Sequence, residues 1–405
     1  MNSEREPNHD AVLITATGVD RPGITAELLS VLSEANAVLL DVEQVVVQER
    51  LNLSFLVSLP GDDTARPLLK DLLWKARELG LHVDFDLAPR KRALPTKPSW
   101  ALTLLANPIS TELMVNLSRA TAAAGFNIDR IQRLSASSLA SVELLLSGDA
   151  GDPEQQLRTG LHELRQRYAC DLALQRETLT RRSKRLIVMD MDSTLIQQEV
   201  IDELAVTLGV QDRVSKITER AMNGEIDFDQ SLRERVRLLK GTPASTLKTV
   251  LDRIELTPGA EDLVRVLKRL GYRTAVISGG FIEVVEPIRQ KLGLDYAFAN
   301  TLEVENDVLT GEVLGTIINR KRKADILEQI AKTERIELDQ VIAVGDGAND
   351  LDMLGRAGLG IAFNAKRTVQ EQAQAAINQP SLMSILYLLG IRDADTLAMD
   401  EDRSG

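Results

Sequence analysis

The stretch RLIVMDMDSTLI, residues 185–196, decides how the second half of the chain folds. Leu186, Ile187, Val188 and Met189 form an unbroken apolar run, the pattern of a buried strand. The run ends on Asp190 and Asp192. Residues two apart on a strand point to the same side, so the two carboxylates lie together at its end. Two like charges beside an apolar strand call for a cation, or for one of them to hold a proton. A strand that merely ends in an Asp/Ser/Thr turn would carry the same letters, so the rest of the chain has to arbitrate.

Downstream, two more apolar runs end in Gly, Ser or Asp: RTAVISGG (273–280) and QVIAVGDGAND (340–350). Long helical stretches separate the three runs, which predicts a parallel α/β sheet. The carboxyl ends of parallel strands share one edge, where sites form. That edge gathers Asp190, Asp192, Ser278, Asp346, Asn349 and Asp350, with Lys323 from the helical stretch RKRKADILEQIA. Residues 199–255 interrupt the alternation with mostly helical sequence and read as a cap domain over the same edge.

Upstream, one unit is written twice. In the first copy AVLITATGV (11–19) reads as a strand, residues 23–36 as a helix with Ile24, Leu28, Leu29 and Leu32 on one face, residues 37–60 as a strand hairpin, 65–80 as a helix and 81–88 as a strand. This β-α-β-β-α-β order is the ferredoxin-like unit. It repeats after the basic, Pro-containing linker PRKRALPTKPS (89–99), and TLTRRSK (178–184) reads as a short polar linker. The expected organisation is a first module at 1–90, a second at 99–178, an α/β domain at 185–392 and a polar tail at 393–405.

Composition excludes several classes. The 405 residues suggest about two or three domains. Lys plus Arg total 48 against 60 Asp plus Glu, a net charge of −12, which argues against general binding of nucleic acid or an anionic membrane surface. No run of about 18 apolar residues predicts a membrane span, and the first ten residues have no apolar signal segment. A cytoplasmic protein is expected. A single cysteine, Cys170, rules out an intramolecular disulfide, and its place beside a helical pattern suits packing. The three histidines, His9, His82 and His162, belong to no titratable cluster, so histidine catalysis is not expected.

Four motifs in order, DMDST, SGG, the Lys of RKRKADILEQIA and GDGAND, resemble the haloacid dehalogenase superfamily of phosphotransferases, over about residues 185 to 390. The segments DMDSTLIQQEVIDELA, ITERAMNGEIDFDQSLRERVRLLKG and KLGLDYAFANTLEV narrow the resemblance to its phosphoserine phosphatase family. The repeated unit resembles tandem ACT domains, regulatory modules that often bind amino acids. The fold implied is α/β: a Rossmann-like parallel sheet with a helical cap, preceded by two ferredoxin-like βαββαβ (ACT) domains. The resemblance implies hydrolysis of O-phospho-L-serine, the last step of L-serine biosynthesis, with Asp190 as nucleophile and Asp192 as general acid and base. It implies Mg²⁺ held by Asp190, Asp346 and the backbone carbonyl of Asp192, with Asp350 holding metal-bound water. Lys323, Ser278, the Gly279 N–H and Asn349 would meet the phosphoryl group. Glu199 would hold the substrate ammonium, Arg235 its carboxylate, and Met222 and Phe228 would close over the ligand. Taken alone, Glu199 and Arg235 are ordinary residues of a solvated helix face. The turn GVDRPGI (18–24) opens a helix and carries Arg21, which suits the carboxylate of an amino-acid effector such as serine. The second copy has NPIS there and lacks that pattern. A homodimer built through the repeated modules is expected.

Two other functions use the same residues. A phosphotransferase would pass the phosphoryl group to another hydroxyl amino acid. An amino-acid sensor would carry an inactive phosphatase domain, against which the intact set Asp190, Asp192, Lys323 and Asp346 argues.

Overall fold

A computed structural model describes residues 11–59, 62–88, 98–136 and 140–396. Most of the first linker (89–97) and the end of the polar tail (397–405) lie outside the described residues. Two units result, Met1–Thr96 and Lys97–Gly405.

The first unit runs β1 (Ala11–Val19), α1 (Ile24–Glu34), β2 (Val38–Val47), β3 (Arg50–Ser58), α2 (Asp62–Glu78) and β4 (His82–Ala88). Its antiparallel sheet has the order β2-β3-β1-β4. Ile24, Leu28 and Leu32, four residues apart, turn one face of α1 onto Ile14, Leu53 and Phe55 in the sheet. The edge strand β2 leaves Val38, Val42, Val45 and Val47 exposed. Arg21, expected to face an effector, donates to the carbonyl of Leu79.

The second unit begins with the same order: β5 (Ser99–Leu105), α3 (Thr111–Ala123), β6 (Asn127–Arg133), β7 (Ser141–Ser147), α4 (Asp152–Arg167) and β8 (Asp171–Arg176), in a sheet ordered β6-β7-β5-β8. A short helix α5 (Leu179–Arg182) follows. It corrects the reading of 178–184 as a polar linker. Arg181 is buried between Glu143 and Glu177, and the buried Lys184 donates to the carbonyl of Asp339. Their polarity is spent on partners inside the fold rather than on water. Burial pulls the Lys184 ammonium down to about 8.

The α/β region then runs β9 (Leu186–Met189), cap helices α6 (Val200–Leu208), α7 (Gln211–Met222), α8 (Phe228–Arg237) and α9 (Thr246–Leu251), then α10 (Ala260–Arg269), β10 (Arg273–Phe281), α11 (Ile282–Leu292), β11 (Tyr296–Glu305), β12 (Val308–Leu314), α12 (Arg320–Glu334), β13 (Val341–Gly345), α13 (Leu351–Arg356), β14 (Leu359–Phe363), α14 (Arg367–Gln370), β15 (Ala375–Ile377) and α15 (Ser384–Leu388). The sheet order is β12-β11-β10-β9-β13-β14-β15, parallel except for β12. The central strand β9 pairs with β10 on one side and β13 on the other. All four of its residues are buried, as a strand covered on both faces requires. Each such side chain contributes about 1.5–3 kcal/mol of hydrophobic stabilisation. The strand order reverses at β9, so the cleft at its carboxyl end is the place for a ligand.

The β11–β12 hairpin was not expected from the sequence. Its two-residue turn, Asn306-Asp307, has positive φ at both positions, 49° and 62°, which matches the twist of the strands it joins. Backbone hydrogen bonds from Gly241 to Leu309, and from Leu309 back to Thr242, fasten β12 to the chain that leaves α8.

The second ferredoxin-like module packs against the α/β region within one unit. Asp171, buried at the start of β8, accepts from Asn378 N–H (2.8 Å), Asn378 Nδ2 (2.8 Å) and Gln379 Nε2 (3.1 Å). Gln175 donates to the carbonyl of Leu388 at 2.8 Å. Asp393, the first residue of the expected tail, donates from its N–H to the Leu134 carbonyl and accepts from Ala136 N–H. Replacing Asp171 by Ala removes the shared acceptor of three donors, at about 1–3 kcal/mol. The melting temperature of the Asp171→Ala protein should fall by about 2–8 °C. An unchanged melting curve would show that this junction adds nothing to stability.

Candidate active site

Three strand ends and one helix build the cleft. Asp190 follows β9, and its backbone N–H bonds the Val344 carbonyl of β13 at 2.9 Å. Its Oδ1 accepts from Met191 N–H at 2.7 Å and its Oδ2 meets Lys323 Nζ at 2.8 Å. Lys323, in the first turn of α12, is fully buried and also meets Asp350 Oδ1 at 2.7 Å. Burial pulls its ammonium down, but Asp190 and Asp350 outweigh that and hold it above its ordinary range.

Asp350 closes the short 3₁₀ turn Ala348–Asp350 after β13, and its Oδ2 accepts from Gly347 N–H at 3.0 Å. This placement depends on Gly345. A Cβ there would come within 2.4 Å of Asp350 Oδ2. Thr194 donates to Asp346 Oδ1 at 3.4 Å. One carboxylate oxygen from each of Asp190, Asp346 and Asp350 lies within 4.8 Å of the others. Burial, then the charge on Asp350, pushes Asp190 well above the usual carboxylate range and Asp346 up to about 6. Three carboxylates against one ammonium leave excess negative charge among hard oxygen donors, a set that fits a divalent cation such as Mg²⁺.

Asp192 stands apart from this cluster. The backbone turns sharply after Asp190: Asp192 is extended and Ser193 left-handed at φ 53°. Asp192 Oδ1 accepts from Val200 N–H (2.9 Å) and Oδ2 from the Ser278 hydroxyl (3.1 Å). Burial raises its pKa, and the hydrogen bonds from Val200 and Ser278 oppose the rise. The Ser278 hydroxyl, expected to serve a phosphoryl group, is engaged here by Asp192 and by Gly280 N–H at 2.8 Å. Asn349 packs over Gly347, where a Cβ would collide with its Oδ1.

The cap residues divide. Phe228, at the start of α8, lies over Gly279, close enough that a Cβ on Gly279 would be 3.0 Å from its ring. Met222 is 68% exposed at the end of α7 and is not brought to the site. Arg235 donates to the Ser231 carbonyl at 3.3 Å and has no ion-pair partner among the described residues. Burial lowers its pKa, against the fields of Asp202, Glu199 and Asp192. Glu199 accepts from the Ser193 hydroxyl at 2.8 Å. It keeps contact with solvent along part of its surface, yet enough protein surrounds the carboxylate to push it up to about 7, with Asp192 adding to the shift.

Residues 184–358 match the haloacid dehalogenase-like hydrolase family, and residues 10–86 and 99–175 each match an ACT domain family. The phosphoserine phosphatase of Streptomyces coelicolor is 42% identical over 412 residues, covering 99% of this chain and 98% of that protein. The chain belongs to the phosphoserine phosphatase family. Phosphoserine phosphatase SerB2 of Mycobacterium tuberculosis is 41% identical over 400 residues, 98% of either chain. Among solved structures, a HAD family hydrolase from Salmonella enterica serovar Typhi aligns over 72% of this chain and 98% of its own, with a TM-score of 0.63 and 32% identity. A probable phosphoserine phosphatase from Vibrio cholerae aligns over 75% of this chain and 88% of its own, with a TM-score of 0.57 and 35% identity. No described helix of this family member is long and apolar enough to cross a membrane.

Sequence reasoning missed Thr194, Gly345 and Asn300. Thr194 lies inside DMDST and could have been read from its place beside the aspartates. Asn300 is buried in β11, donates to the Gly279 carbonyl and accepts from Ile318 N–H, both at 2.8 Å. Nothing local marks it. Gly345→Ala should push Asp350 off Lys323 and lower phosphomonoester hydrolysis by about 10²-fold or more, the scale of a misplaced active-site group. Turnover within fivefold of the parent would show that the Asp350 placement is dispensable.

Proposed function

We propose that the chain hydrolyses O-phospho-L-serine to L-serine and phosphate through an aspartyl phosphate on Asp190, as the last step of L-serine biosynthesis in the cytoplasm. The observation that carries this reading is the division of labour between two neighbouring carboxylates. Asp190 lies with Lys323, Asp346 and Asp350, while Asp192 is turned aside toward Val200 and Ser278.

Asp190 Oδ forms a bond to phosphorus as the bond from phosphorus to the seryl oxygen breaks. Asp192, whose pKa is raised by burial, gives that oxygen its proton. Asp192 then takes a proton from the water whose oxygen attacks phosphorus, which releases phosphate and restores Asp190. Asp190, Asp346 and the Asp192 backbone carbonyl, with Asp350 beside them, would hold Mg²⁺, which would supply the positive charge that lets an anionic carboxylate approach a phosphate dianion. Lys323 orients Asp190 and offers its ammonium to phosphoryl oxygens, with Ser278, Gly279 and Asn349 as further donors. Arg235, half-buried and without an ion-pair partner among the described residues, receives the substrate carboxylate, and Glu199 receives the ammonium. Phe228 covers the bound phosphoryl group from above Gly279, and Met222 joins it as the cap closes. An amino acid such as serine regulates at the turn where Gly23 opens α1, and a homodimer forms through the exposed edge of the first module.

Phosphate release from L-phosphoserine tests the reaction. Release should require Mg²⁺, stop with a chelator, and be abolished in Asp190→Asn, and Asp192→Asn should be slower by about 10²–10⁴-fold. Near-normal release from Asp190→Asn would sink the covalent route.

Specificity has its own signature. Burial pushes Glu199 up to about 7 in the free protein, so lowering the pH through that value protonates the partner of the substrate ammonium. We expect kcat/KM for phosphoserine to fall as pH drops below about 7, and Glu199→Gln to lower kcat/KM and flatten that limb. A small aryl phosphate, lacking an ammonium, should show neither effect. Equal losses on both substrates would mean that Glu199 supports the cap and does not read the amino acid.

A further inference from the structure

The first turn of α12 is Arg320, Lys321, Arg322 and Lys323, four cations at the end where a helix dipole is already positive. No acidic residue lies in that turn. Asn319 caps it. Its Oδ1 accepts from Arg322 N–H at 3.1 Å, and its carbonyl accepts from Lys323 N–H at 2.9 Å. The other end of the same carboxamide reaches the cap: Asn319 Nδ2 donates to Asp229 Oδ1 at 3.0 Å. Asp229 follows Phe228 in α8, and Phe228 lies over Gly279. The Gly279 carbonyl is held by Asn300, whose own Oδ1 holds the N–H of Ile318, the residue before Asn319. The contacts close a ring from the cap to the lysine helix, to the Gly279 loop, and back to the cap.

We infer that Asn319 is a positioning residue that latches the cap, through Asp229, to the helix that carries Lys323. The inference rests on the reading of Lys323 and the Ser278–Gly279 loop as phosphate-binding groups. An N-cap needs only Oδ1. Asn319 spends its Nδ2 on a residue of a different layer. Asp229 is also the anion that the cap brings to the cationic end of α12, so closure gains a charge-assisted hydrogen bond and a favourable field together. The same bond fixes the carboxamide plane, and with it the first turn that aims Lys323 at Asp190.

Asn319→Asp separates capping from latching. Aspartate caps a helix as well as asparagine does, and its charge suits the end of α12. Across the latch, however, it would set two carboxylates face to face. Asp229→Asn in the same chain then supplies a donor and restores the pair with its polarity reversed. In the full-length protein, N319D should keep the parent melting temperature while kcat/KM for phosphoserine falls about tenfold or more. With Mg²⁺ and inorganic phosphate present, amide hydrogen exchange over residues 211–237 should quicken in N319D. N319D/D229N should recover both quantities. Values within twofold of the parent in N319D, or a double variant no better than N319D, overturn the latch. The exchange arm uses Mg²⁺ and inorganic phosphate and needs no turnover of phosphoserine. A parent that released nothing from phosphoserine would therefore refute the proposed reaction, and exchange would still decide on the latch.

Discussion

A fully buried ammonium holds the cleft together. Lys323 has no access to water, and an isolated charge in that position would cost several kcal/mol. It is tolerable because Asp190 and Asp350 each place an oxygen within 2.8 Å of it. The dependence is mutual. Asp190 is itself buried and Asp350 entirely so, and without the lysine only backbone N–H groups of Met191 and Gly347 would answer their charges. One contact triangle thus fixes the relative positions of β9, the turn after β13 and the start of α12. Asp346 extends the same cluster, and burial, followed by the surplus of carboxylate charge, raises two of its members. That surplus is the physical demand a divalent cation would answer.

Around this centre the sheet edge and the cap contribute different residue types. The sheet edge supplies the carboxylates and the lysine, all on rigid strand ends or a first helical turn. The cap supplies Arg235 and Phe228, on a helix that also packs against α7 and β12 and reaches Asn319. A half-buried guanidinium with no carboxylate partner among the described residues is unusual for a residue type that normally pairs when it leaves water. The second ferredoxin-like module is a structural partner of this assembly. Its β8 lies against β15, and the buried Arg181, paired with the half-buried Glu143 and Glu177, stiffens the passage from one to the other.

Much of this was legible in the residue order. The runs at 186–189, 273–280 and 341–345 were readable as strands because buried parallel strands are continuously apolar. The two βαββαβ modules were readable from alternation and helical spacing. The hairpin β11–β12 escaped because its turn is Asn-Asp rather than the stronger Asn-Gly signal. The strands β14 and β15 escaped because five and three apolar residues do not distinguish a strand from a helix segment. The segment 178–184 was misread for a different reason. Its Arg and Lys letters imply solvent, and only tertiary partners could have made them interior.

By itself the sequence determined the order of the elements and the chemical types at the strand ends: two aspartates after β9, a serine and glycines in the last residues of β10, and aspartates after β13. These follow from local periodicity, which a chain expresses wherever it lies. The tertiary structure decided the rest. It turned Asp192 toward Val200 and Ser278 while drawing Asp350 into the cluster with Asp190. It left Met222 in solvent and set Phe228 over Gly279, and it joined Asn300 and Asn319 to the site. Each of those outcomes depends on which strands become neighbours and on how closely the backbones approach at Gly345 and Gly279. Such contacts lie across long stretches of chain, and no short stretch of residues carries them.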